Sequence, residues 1–120
     1  MTMKPEEHIK RAEELCGRIR SASAMVGSAN NQRLVKGADP NELKKILSFM
    51  MANREDLGKQ KSLESVRKLV EGLQASDFSK RSGSTPAYYK NIQSAFSTGF
   101  YSMTDVDDAV QILGWACRLL

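Results

Sequence analysis

The last seventeen residues, Thr104-Asp-Val-Asp-Asp-Ala-Val-Gln-Ile-Leu-Gly-Trp-Ala-Cys-Arg-Leu-Leu120, decide the fold class. They predict a helix over about 105–120. Thr104 stands in the N-cap position, Asp107 in the capping-box position three residues on, and Asp105, Asp107 and Asp108 sit on the positive end of the helix dipole. At 100° per residue, Val106, Ala109, Val110, Leu113, Ala116, Cys117 and Leu120 form one apolar face. Ile112, Trp115 and Leu119 form a second. A helix apolar on two sides is either central in a bundle or docked on a partner as well as on its own core.

Working back from this helix, the same devices recur. Thr85-Pro86 opens a helix over about 86–98, with Ile92, Ala95 and Phe96 as its inner face and Gly99 in the C′ position. On that phase Tyr88 points inward, Tyr89 falls on the flank and Lys90 faces solvent. Ser62 caps a helix over about 62–74 that buries Leu63, Val66, Leu69, Val70 and Leu73. Asp39-Pro40, with Glu42 at N3, starts a helix over about 40–53 whose core residues are Leu43, Ile46, Leu47, Met50 and Met51. Pro5 opens the first, over about 4–25, with Ile9, Ala12, Leu15, Cys16, Ile19 and Ala22 inward. Its outer charges are arranged as Glu6–Lys10, Glu7–Arg11 and Glu14–Arg18, acid first at i,i+4, the order that stabilises a helix by a few tenths of a kcal/mol per pair. Residues 27–37 read as a polar loop or a short interrupted helix, residues 54–61 as a charged turn, and residues 75–84 as a second loop. No stretch alternates with period two over strand length. The expectation is an all-α, compact five-helix bundle in a single domain spanning residues 1–120.

Composition agrees with one ordinary core. Hydrophobic residues make 41% and charged residues 27% of the chain, which places it with globular proteins and apart from disordered tails. Cys16 and Cys117 are a hundred residues apart at inward positions and read as buried, reduced thiols. The opening MTMKPEEHIK has no apolar signal core, and no run approaches the ~18 residues of a membrane span, so a cytoplasmic location without membrane attachment is expected.

Catalytic readings lack parts. His8, the one histidine, stands among Glu and Lys in a first helical turn and reads as a surface residue. No second histidine or cysteine stands at metal-ligand spacing, and the glycines form no phosphate loop. The three aspartates near 105 serve the helix dipole and lack calcium-loop spacing. The expectation is a non-enzyme with no catalytic residues, no metal and no cofactor.

Charge points elsewhere. Residues 104–120 carry three acids and one Arg, net −2, so the chain's +4 leaves +6 on the first 103 residues. Two stretches contain no acid, residues 15–38 (Arg18, Arg20, Arg33, Lys36) and 78–104 (Lys80, Arg81, Lys90). An acid-free basic segment suits phosphate, because a nearby carboxylate would cancel the field. The helix begun by Thr85 has no acid in its first turn, unlike the other four, and Lys80-Arg81 and Ser-Gly-Ser precede it. The predicted nucleic-acid-binding set is Lys80, Arg81, Thr85, Tyr89 and Lys90, with Tyr89 as a stacking ring, joined by Arg20, Arg33 and Lys36. If about four of these touch one strand, the log–log salt slope is roughly −3, with RNA or single-stranded DNA held without sequence preference. The predicted partner interface is Ile112, Trp115 and Leu119, on the side of the last helix that either its own core or a neighbour covers.

The segments ILGWACRLL (112–120) and STPAYYKNI (84–92), in a short, basic, helical chain, resemble the small helical subunits of CRISPR–Cas effector complexes, type III in particular. That resemblance implies a non-catalytic subunit in antiviral defence, stacked in copies along a guide–target duplex and touching backbone through Lys and Arg. The competing reading is a protein-only adaptor, assembly factor or small inhibitor acting through the Trp115 face.

Overall fold

A computed structural model describes residues 3–27, 32–75 and 84–120. Among these the chain is mainly helical, in the order α1 (Pro5–Ser21), β1 (Ser23–Val26), β2 (Arg33–Lys36), α2 (Pro40–Ala52), α3 (Arg54–Gln60), α4 (Glu64–Ala75), α5 (Thr85–Phe96), a 3₁₀ turn (Phe100–Ser102) and α6 (Val106–Leu119). Among the described residues six α-helices and a two-stranded antiparallel sheet stand where five helices were expected.

Of the named start signals those at Asp39 and Ser62 hold, while the helix expected to open at Thr85 has Ser84 as its N-cap, with no side-chain cap bond. The Asp39 carboxylate accepts from Asn41 N–H at 2.9 Å, with Pro40 beginning α2. Ser62 Oγ accepts from Glu64 N–H at 3.1 Å, at the start of α4. At α6 the cap is Asp105, whose Oδ1 accepts from Asp108 N–H at 3.1 Å, and not Thr104. A carboxylate one residue nearer the first turn takes the position. The segment 54–61 is the short helix α3, with Leu57 as its one buried side chain and Lys61 left-handed at φ +50° to end it. Met51 projects to solvent, while Met50 belongs to the core.

Helix α1 stops at Ser21, and residues expected to extend it turn back as the hairpin. The partners are Ser23↔Lys36, Ala24↔Val35, Met25↔Leu34 and Val26↔Arg33. Gly27 (φ +107°) and Gly37 (φ +76°) close the two strands with backbone that other residues rarely adopt. Four-residue strands are too short to display a period of two, and for that reason the pattern read as a loop.

Core packing answers the question posed by the last helix. α6 lies against α1 and α2 and touches α3, so both of its faces are used within the chain. Val106, Ala109, Val110, Ile112, Leu113 and Ala116 are all buried. α1 and α6 run in the same direction. His8 meets Asp108, Cys16 Sγ donates to the Ala116 carbonyl at 3.4 Å, and Arg20 donates to the Leu119 carbonyl. α5 is enclosed in its turn by α4, α1, α2 and the hairpin. Both cysteines are free thiols, Cys16 buried and Cys117 half-buried. Burial pushes the Cys117 thiol up to about 11.

Three surface expectations change. His8 is buried, and its Nε2 lies 2.8 Å from Asp108 Oδ1. The same carboxylate accepts from Met3 N–H at 3.1 Å, so the histidine is the donor in the pair. The three i,i+4 pairs expected on α1 do not close among the described residues, where the helical ion pairs lie on α3 and α4. Ile9 is half-buried at the edge of the inner face.

Candidate nucleic-acid interface

The acid-free stretches meet where the hairpin docks on α5. The docking residue is Asn91, 1% exposed, whose Nδ2 donates to the Val35 carbonyl at 3.1 Å and the Gly37 carbonyl at 2.7 Å. A buried amide making two bonds to strand backbone fixes both the distance and the register of the hairpin on the helix. About two turns earlier, at 3.6 residues per turn, Arg33 reaches from β2 and donates from Nη2 to Ser84 Oγ at 2.8 Å. Ser84 is the N-cap of α5, and its side chain caps no helical N–H. The first turn holds no acid, whereas each of the other five described α-helices has at least one there. The positive helix end and an arginine therefore lie side by side, with Lys36 and Lys90 exposed on the same two elements. Neither the described hairpin residues nor α5 contributes a carboxylate.

Of the residues expected at this interface, Arg33 and Lys36 lie on the hairpin and Thr85 and Lys90 on α5, and Arg33 bridges the two elements at Ser84. Thr85 is half-buried in the first turn. Arg20 is drawn away, since its guanidinium bonds the Leu119 carbonyl at the C-terminal end of α6. Lys80 and Arg81 lie outside the described residues.

Tyr89 is a correction. It is 1% exposed and offers no ring for stacking, while Tyr88 is the half-buried one of the two. The flank assigned to Tyr89 would be open if residues 23–36 were a loop, but α5 is covered on several sides. Burial pushes the Tyr89 phenol up to about 12, with the nearby Glu42 carboxylate adding to the shift. Tyr89 Oη and Glu42 Oε2 are both buried without a hydrogen-bond partner.

The interface expected on α6 divides. Ile112 is 2% exposed and belongs to the core, at the floor of a groove beside α1 and away from Trp115's open edge. Trp115 is half-buried with the Arg118 guanidinium 5.1 Å from its ring centroid, and Leu119 is exposed. Two residues that matter for geometry escaped the sequence reading, Asn91 and Asp108. For Asn91 a signal existed, because it stands between Tyr88 and Ile92 on the inward phase, where a polar side chain needs a partner.

A separate groove of about 450 Å³ runs between α1 and the 3₁₀ turn. Glu7, Arg11, Glu14 and Arg18 alternate in sign along its wall, so it has no single-sign field for a phosphate. Among the described residues no group of three or more His, Cys, Asp or Glu could hold a metal ion, and no helix is long and apolar enough to cross a membrane. No family model, no curated protein and no solved structure matches this chain.

Proposed function

We propose that this chain is a non-catalytic, mainly helical subunit of a nucleoprotein complex. It holds the sugar–phosphate backbone of RNA or single-stranded DNA on the hairpin and the start of α5, and turns its Trp115–Leu119 end to neighbouring subunits. The observation that carries the reading is Arg33 bonded to Ser84 at the one acid-free start among the described helices, with Lys36 and Lys90 exposed on the same two elements. Backbone contacts of this kind are indifferent to sequence and sensitive to salt. The small subunit of a CRISPR effector is the setting to which the resemblance of STPAYYKNI and ILGWACRLL points.

Arg33→Ala/Lys36→Ala/Lys90→Ala tests it. The log–log salt slope for a single strand, read by fluorescence anisotropy, is expected to become shallower by about 2, at roughly 0.7 per lost contact. An unchanged slope removes this site. If the parent chain shows no salt-dependent binding at all, the adaptor reading through Trp115 and Leu119 takes its place, supported by the exposed Leu119 beside a tryptophan already stacked with Arg118.

A further inference from the structure

Side chains alternate along a strand, so a hairpin docked on a helix has one covered face and one open face. Ala24, Val26 and Val35 are half-buried or buried on the covered side. On the open side Met25 and Leu34 are direct cross-strand partners, 47% and 64% exposed. They make one apolar spot, since opposed side chains on a ladder touch. Single exposed apolar residues are ordinary, but this pair has a cation beside it. Lys36 is two residues from Leu34 on the same face, while Arg33, the cross-strand partner of Val26, stands on the other face and reaches Ser84. The described residues of the hairpin bring no acid to it.

Resting on the backbone-holding reading above, we infer that the Met25–Leu34 face is a platform for unpaired bases, which makes the partner single-stranded. Phosphates alone would not need the apolar pair, and a duplex keeps its base faces stacked inside. A single strand offers both surfaces at the spacing of one nucleotide, anionic backbone to Lys36 and flat apolar bases to Met25 and Leu34. Contact of this sort tolerates any base, because every base has an apolar face.

The experiment compares a ten-nucleotide oligothymidine, an abasic strand of equal length and a ten-base-pair duplex by fluorescence anisotropy. The parent chain is expected to bind oligothymidine roughly tenfold tighter than the abasic strand. Met25→Ser/Leu34→Ser should bind both at the abasic affinity with its salt slope intact. Both positions are exposed, so an unchanged melting curve shows that the fold persists. A Met25→Ser/Leu34→Ser variant that keeps the tenfold preference overturns the platform and leaves the backbone site standing. So does a parent chain that prefers the duplex. Binding to phosphatidylserine vesicles that depends on Met25 and Leu34, without a preference for bases, assigns the face to a membrane surface and likewise overturns it. Absence of salt-dependent binding to every strand defeats the backbone reading itself.

Discussion

Glu42 shows how one side chain can be placed for two purposes that compete. It stands in the first turn of α2, where a negative charge favours the helix dipole, yet it is buried with one oxygen unpartnered. Burial raises its carboxyl above the usual range, and Asp39 adds to the shift. The folded chain therefore holds this proton more firmly than the unfolded chain does. Stability from the neutral form is fully present below the ordinary carboxylate value, and is lost as pH rises through the raised one. Glu42→Gln should remove that loss. We expect the variant to gain stability over its parent as pH rises from 4 to 7, read by thermal melts at both values. Single residues of this kind were the least legible in the sequence. Helical phase puts Tyr89 on a flank and Ile112 on a second face, but it carries no information on which faces another element will cover, and both are buried.

The helices were legible because their ends are chemically marked. Asp39-Pro40 and Ser62 announced α2 and α4, and the apolar spacing of α1, α4 and α6 named most of the core. The hairpin was not legible, since its strands have four residues each and its docking depends on Asn91, more than fifty residues away in the chain. A two-stranded hairpin is marginal by itself and needs a surface to lie on. Asn91→Ala should therefore loosen this element more than any other. The expected cost is about 2 kcal/mol, from two strand carbonyls that lose a buried donor. Hydrogen exchange should show the β1 and β2 amides opening at least tenfold faster while those of α6 change with global stability alone.

At the scale of the whole molecule, α6 is the helix around which the others are arranged, and its two apolar faces are mostly accounted for by α1 and α2. What is left for a neighbour is the last turn, where Trp115, Leu119 and Leu120 remain partly open. The opposite end of α6 is tied to the start of the chain through Asp108, which accepts from His8 and from Met3. Asp108→Ala leaves both donors buried or half-buried without that acceptor and should lower stability by about 2–3 kcal/mol in urea unfolding. Because the knot of polar groups is far from the hairpin, the affinity of the folded variant for a single strand should not change. This pairing was invisible beforehand, as a lone histidine and a dipole-serving aspartate a hundred residues apart each had a sufficient local explanation.

The alignment of α1 along α6 also sets a timetable. The first helix leaves the ribosome with its buried stripe, Ala12, Leu15, Cys16 and Ile19, facing a partner that is synthesised a hundred residues later. At ordinary translation rates that interval is about 5–20 s, long against the microseconds in which a helix forms. Until α5 emerges the nascent chain carries an uncovered apolar strip, and until α6 follows that strip is covered only in part. Completion of the core must be a late event, and crowding by identical nascent chains on one message is the moment at which this protein is most exposed to misassembly.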